Sequence, residues 1–388
     1  MKKITLFLAV IALACVAIVP AQWQDSSGWI FIPSGDGAVI QSVLDAGLPS
    51  PSNRYGKTIV LGRGVWNITE PIRINEREGV TILGSGNSLS GTVLQCNTPD
   101  RACIEILGSD NIIIQNLNIT GVDMAVGVMT SRTPAFMNSS RIEFRDLYAY
   151  GQWDYAAFYN VSSESNTLYN VHANAQNQLA ESVVTIAPYN EYGIATSIPI
   201  QDGIGAYSPI IERSGLTGKS RVPLRIFGWY ATVRDVYIYT PDGRAAIELI
   251  GGGSLRLENS AFEGAPYASI RLTKRDGYQN YFTLDVDSAL GNPSQYAIWA
   301  DDGTVVKDSA IGAVGLKPVR LWDMVFVDMS RFGAFDSRQA VVTANKCFGV
   351  TILLGQQDVF TCAQYIGVTI HNQSSFWSPK IEYKGFAQ

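Results

Sequence analysis

Apolar residues along this chain fall mostly on alternate positions, in short runs that stop at a turn residue and then resume. One phrase recurs: apolar, any residue, Asp or Asn, apolar or small, any residue, apolar. Ile114 to Ile119 is the first clear copy, centred on Asn116. Further copies centre on Asp146, Asn170, Asp235, Asn259, Asp308 and Asp323, at steps of 30, 24, 65, 24, 49 and 15 residues. Period-2 alternation on either side of a bend, repeated at about 24 residues, predicts a β-solenoid in which each copy reads strand, bend, strand. Asp and Asn suit the bend because they tolerate left-handed dihedrals and bond their own backbone. The regular acids Asp146, Asp235, Asp308 and Asp323 are therefore expected to form bends rather than carry chemistry.

The pattern before the first copy adds a cap. Asp36 to Gly47 reads as an amphipathic helix with Asp36 as N-cap and Gly47 as the stop. Such a helix would shield the first rung of a solenoid from water. Strands follow at 58–61, 65–68, 71–74, 80–83, 92–95 and 104–107, punctuated by Gly62, Gly64, Gly79, Gly84 and Gly86. The stretches DGAVIQSVLDAG (36–47), KTIVLGRGVWNI (57–68) and GVTILGSG (79–86) resemble the opening of the pectate-lyase-like parallel β-helix superfamily. Counting the repeats, the resemblance runs over roughly residues 30–355. It implies an all-β, right-handed, single-stranded parallel β-helix of about ten rungs with an N-terminal capping helix. The superfamily holds polysaccharide lyases, glycoside hydrolases, epimerases and phage tailspikes, so fold alone does not select a function.

The expected organisation is a leader at 1–21, a leading strand and capping helix at 22–50, the solenoid at 51–375 and a tail at 376–388. The 65-residue gap between Asn170 and Asp235 suggests an enlarged loop around 188–228, rich in Gly, Pro, Ser and Tyr. Lys2 and Lys3, an apolar run from Ile4 to Val19, and Val19-Pro20-Ala21 together read as an export signal. The run is short for a spanning helix, so no transmembrane segment is expected after its removal. Four cysteines then remain, an even number that in an exported chain favours disulfides. Proximity in sequence suggests Cys96–Cys103 and Cys347–Cys362.

Composition narrows the partners. The 388 residues are 46% hydrophobic and 16% charged, with a net charge of −5 that becomes −7 without Lys2 and Lys3. That argues against nucleic acid or an anionic membrane. Two functions from different classes remain. One is an exported protein that binds, and as an enzyme cleaves, an extracellular polysaccharide, expected to be acidic. The other is a non-catalytic surface, fibre or tailspike-like protein that assembles into homo-oligomers.

Candidate chemistry is thin. Arg221-Val222-Pro223-Leu224-Arg225 is similar to the Arg-any-Pro-any-any-Arg pattern of pectate lyases but one residue short. A four-residue step still places both arginines on one side of a strand. As a lyase the chain would also need a charge neutraliser, for which that resemblance implies Ca²⁺. Asp301-Asp302 reads as an Asp-Gly turn with Gly303, and the polygalacturonase motifs are absent. Of two histidines, His172 follows the Asn170 bend and is the best single acid–base candidate. Asp202, in the enlarged loop, completes the catalytic candidates Arg221, Arg225 and His172. Tyr148, Tyr150, Trp153 and Tyr237, with Arg145 and Arg234 beside them, suit sugar rings and their anionic groups. A covered face, packed by a flap or another subunit, explains the same aromatics. Asn67, Asn118, Asn138, Asn160 and Asn372 head glycosylation sequons.

Overall fold

A computed structural model describes residues 23–24, 29–46, 57–129, 139–177, 180–196, 206–288, 290, 295–312, 318–329, 341–354, 359–372 and 380–383. The alternation read from sequence becomes a right-handed parallel β-helix with three faces. Each rung contributes one strand to each face, and strands stack in parallel with the same face of the rungs before and after. Face A runs from Ile30–Ile32 through Thr58–Leu61, Thr81–Leu83 and Asp110–Gln115 to Gly253–Glu258 and Tyr281–Asp287. Face B begins with Gly64–Ile68 and Thr92–Cys96 and continues through 118–121, 148–151, 172–175, Gly215–Gly218, Tyr237–Tyr239 and Ala261–Glu263. Face C runs from Ile72–Asn75 and Ala102–Leu107 through Ser182–Ala187, Val222–Ile226, Ala245–Ile250 and Ala268–Thr273 to Tyr296–Ala300. Inward positions such as Ile82, Ile114, Phe144, Leu168 and Val233 form one continuous buried column.

The bend between faces A and B is the recurring phrase. Asn116, Asp146, Asn170, Asp235, Asn259 and Asp308 all have φ between 43° and 60°, the left-handed region that Asn and Asp tolerate best. Stacked bends also bond each other: Asn170 Nδ2 donates to Asp146 Oδ1 at 2.6 Å, and Asn259 Nδ2 to Asp235 Oδ1 at 2.5 Å. Two bends differ from the sequence reading. Asp323 lies inside the strand Val319–Met329, opposite Val305 and Lys346, and the left-handed residue of that rung is Phe326. Arg213 (φ 52°) is a bend that Asp/Asn matching passes over. It divides the 65-residue interval into an enlarged turn of 43 residues and an ordinary one of 22. Part of the region expected as an enlarged loop is therefore a rung, made of Ile210–Glu212, Gly215–Gly218 and Val222–Ile226. The insertion is confined to residues before 210.

The helix α1 (Gly37–Asp45) caps the first rung. Asp36 accepts from the Val39 N–H at 3.1 Å, as an N-cap should. Ile40, Val43 and Leu44 are buried against the solenoid. Gln41 accepts from Arg73 N–H at 2.7 Å and donates to Arg73 C=O at 3.3 Å, so a side chain pairs with backbone that no earlier rung can reach. Gly47 lies outside the described residues. Both disulfides form as sequence proximity suggests, Cys96–Cys103 and Cys347–Cys362.

Candidate functional site

Side chains on face B alternate in and out, and the register brings the outward ones into two columns. The first is Val65, Val93, Asn118, Tyr148, His172, Gly215, Tyr237; the second is Asn67, Gln95, Thr120, Tyr150, Asn174, Thr217, Tyr239. Across these seven rungs the strand positions hold no Asp, Glu, Lys or Arg. Charge borders the face: Arg213 and Asp235 at the A–B bend, Lys219 past the far edge, and Glu263 in the eighth rung.

Two rungs stand proud and two lie low between them. Tyr148, Tyr150, Tyr237 and Tyr239 are each about 40% exposed, and the Tyr148 and Tyr150 rings stack at 6.4 Å. The intervening rungs carry His172 with Asn174 and Gly215 with Thr217. Gly215 matters for space: a Cβ there would sit 2.9 Å from His172 Nδ1. The result is a trough, about 14 Å from one tyrosine rung to the other at three strand spacings. Its floor is a hollow of 410 Å³ lined by Tyr148, His172, Asn174, Arg213, Thr217, Asp235 and Tyr237. Neighbouring hollows of 610 and 560 Å³ share Gln152 and Gln176 and extend the groove along the solenoid.

Hydrogen bonds hold the polar groups in place. Asn174 Nδ2 donates to Thr217 Oγ1 at 2.8 Å, and Gln176 Nε2 to the Tyr150 hydroxyl at 2.5 Å. Tyr237 donates to Glu263 at 2.9 Å; burial first, and then this bond, push its phenol above the ordinary range, so it stays a neutral donor. Arg213 donates to the Tyr169 hydroxyl at 2.8 Å.

The candidate residues from sequence scatter over the molecule. His172, Tyr148, Tyr150 and Tyr237 converge on this groove. Trp153 does not: it is fully buried at the corner after face B, its indole N–H donating to Asn174 C=O at 3.0 Å. The register shift after Val122 lets the chain turn there and carry the ring inward. Arg145 and Arg234 project from face A, across the bend from the tyrosines, and pair with Glu143 (2.5 Å) and Glu212 (2.8 Å). Arg221 and Arg225 do share one side of a strand, on face C, where both meet Glu181. Arg225 also meets Glu248 at 3.3 Å and donates to the Tyr192 hydroxyl at 3.2 Å. That pair is thus an element of an ion network on face C, on the rung next to that of His172 but on a different face. Asp202 and Asn138 lie outside the described residues, as does the side chain of Asn372. Of the sequon residues, Asn67 is exposed, but Asn118 and Asn160 are only 3% and 1% exposed, and a buried amide cannot accept a glycan in the folded chain. Asp301 and Asp302 form the expected turn, with Gly303 at φ 88°.

Sequence reasoning missed Arg213, Asn174, Thr217 and Gly215. A usable signal existed: His172 and Asn174 sit two and four residues beyond their bend, as do Tyr237 and Tyr239. The same offsets from Arg213 give Gly215 and Thr217. Among the described residues, no group of three or more His, Cys, Asp or Glu is placed to hold a metal ion. No helix among them is long and apolar enough to cross a membrane.

No family model and no curated protein matches the sequence. Among solved structures, the chain is similar to an alginate lyase from Paenibacillus sp. str. FPU-7, with 14% identity over 92% of this chain and 99% of that one, at a TM-score of 0.48. It is similar to the catalytic unit of a thermostable GH87 α-1,3-glucanase from Streptomyces thermodiastaticus strain HF3-3, at 12%, 92%, 66% and 0.47 by the same measures. The A-module of the Azotobacter vinelandii mannuronan C-5 epimerase AlgE4 gives 12%, 92%, 96% and 0.43. These are likenesses of fold, and the strand register described above carries that assignment by itself.

Proposed function

We propose that this is an exported protein that binds a polysaccharide lengthwise along face B, with Tyr148, Tyr150, Tyr237 and Tyr239 as stacking platforms. The observation that carries the reading is the trough: two exposed tyrosine pairs in register, separated by two low rungs of hydrogen-bonding side chains. Aromatic rings offer flat apolar area to sugar faces, while amides and hydroxyls serve sugar hydroxyls as both donors and acceptors. Export is supported by the apolar leader at 4–19 and by two disulfides. Any bond-breaking step belongs in the 410 Å³ hollow, where His172, Asp235 and Arg213 meet the same space.

The test is affinity electrophoresis of the protein lacking residues 1–21 through gels that contain soluble polysaccharides, with parallel assays for reducing ends and for ultraviolet absorbance of unsaturated ends. Retardation that disappears in the Tyr148→Ala/Tyr237→Ala double variant is the expected result. Free migration in every gel, together with a large species on a sizing column, would replace this reading with that of a structural protein whose tyrosines pack against another copy.

A further inference from the structure

Resting on the face B reading, we infer that the groove takes an uncharged polysaccharide and discriminates against polyuronates. The expectation of an acidic polymer drew on Arg145 and Arg234, and both lie on face A with carboxylate partners of their own. The distribution of charge over the solenoid is uneven. Face A carries Arg141 with Asp110, Arg145 with Glu143, Arg234 with Glu212 and Arg256 with Glu258. Face C carries Arg225, Glu248 and Arg271 stacked in register. Face B carries none on its strands for seven rungs.

A polyuronate presents a carboxylate on every sugar. Each one drawn into this groove would lose water and meet side-chain amides, hydroxyls and phenol rings, with no fixed cation on the floor to replace the solvation. Among the described residues, two cations border the groove, both beyond the strand positions: Arg213 at the central hollow, its guanidinium bonded to Tyr169, and Lys219 at the edge of the 560 Å³ hollow. Two acids lie close by, Asp235 on the hollow's rim and Glu263 on Tyr237, and would repel an incoming carboxylate. An uncharged sugar meets none of these costs. Its hydroxyls find Asn67, Gln95, Thr120, Gln152, Asn174 and Thr217, each able to donate or accept.

The closing experiment compares retardation of the mature chain in gels of neutral polymers (a mixed-linkage β-glucan, a galactomannan, dextran) with gels of polygalacturonate and alginate, at low and high salt. The expected result is retardation by at least one neutral polymer, changed little by salt because no charge pairing drives it, and absent with both polyuronates. Each single Tyr→Ala change at 148 or 237 should weaken it about threefold to tenfold. Gln95→Lys/Gln152→Lys, which sets cations into the groove, should create salt-sensitive retardation by polygalacturonate. Retardation of the unchanged protein by polyuronates alone, fading with salt, would overturn the inference and leave the groove reading standing. Retardation that survives both tyrosine changes, or none in any gel, would overturn the groove reading and this inference with it. Near-unchanged circular dichroism would confirm that the exposed-residue variants are folded.

Discussion

Faces B and C are built from successive strands of the same rungs, yet they treat their outward side chains in opposite ways. Face C closes on itself. Glu248, 1% exposed, sits between Arg225 and Arg271 in register, with Arg244 at 3.5 Å and Thr273 donating at 2.7 Å. The segment 188–194 then lies over the earlier rungs. Tyr192 packs on Tyr159 at 4.7 Å, and Ile194 and Phe227 join a second apolar cluster outside the main core. Burial pushes the Tyr159 phenol up, so it stays neutral and accepts from Tyr192 N–H while bonding Tyr189 C=O. Face B leaves its rings and amides open. On a ladder spaced at about 4.8 Å, neighbouring charges must alternate in sign to be stable, and once they do they satisfy one another. Uncharged donors and acceptors stay available to a partner. The proposed site therefore lies on the neutral face, while the Arg221–Arg225 pair that attracts attention in the sequence is engaged with Glu181 and Glu248.

The comparison can be broken most forcefully at Glu248. Glu248→Ala leaves Arg225, Arg244 and Arg271 facing one another without their shared acid and should cost about 3–5 kcal/mol, read as a lower urea midpoint. Polysaccharide retardation of the folded fraction should be unchanged. A loss of retardation without a loss of stability would move the site to face C.

Trp153 and Tyr150 are close in sequence and make a paired test. Trp153→Ala empties a fully buried site and should cost about 3–5 kcal/mol. Tyr150→Ala should stay within about 0.5 kcal/mol while weakening retardation. Similar stability losses for both would mean that the face B tyrosines are packing groups.

A smaller effect is expected at the cover of face C. Tyr159→Phe removes the hydroxyl that Tyr192 N–H donates to and should cost about 1–2 kcal/mol. Faster proteolytic nicking within 188–196, with binding intact, is the accompanying readout.

The smallest effect separates bend acids from strand acids. Burial raises the Asp323 carboxyl above its ordinary range, with Lys346 and Asn345 opposing. The folded chain then holds this proton more tightly than the unfolded chain. Stability from this group is present at low pH and is lost as pH rises from the ordinary carboxylate value through the raised one. Asp323→Asn should flatten that part of the Tm-against-pH curve, by well under about 1 kcal/mol. An unchanged slope would show Asp323 to be as solvated as a bend acid.

Much of this architecture could be read from the chain. Alternation located the strands, the capping helix and its Asp36 N-cap, and six of the bends, because these depend on local dihedral preference and on period-2 burial. Cysteine proximity indicated both disulfides. Failures occurred where a local rule has more than one solution. Arg213 takes a left-handed bend normally held by Asn or Asp and is secured by Tyr169 from the preceding rung, a contact 44 residues away in sequence. Asp323 matches the phrase, but its rung turns at Phe326.

The site was less legible still. Tyr148, Tyr150, His172 and Tyr237 were visible as outward aromatics and a lone histidine. That Gly215 and Thr217 fall between them and make a trough follows only from register, since face B joins residues that lie up to 43 positions apart in adjacent rungs. Whether an arginine is free or paired is in part a tertiary property: Arg145 meets Glu143 on its own strand, but Arg225 and Arg234 find their acids only once the rungs stack. Sequence by itself determined the period, the bends and the inward column, because local sterics and burial act within a few residues. The division into charged, self-satisfied faces and one neutral open face was decided by stacking, because it depends on which side chains meet at strand spacing across different rungs.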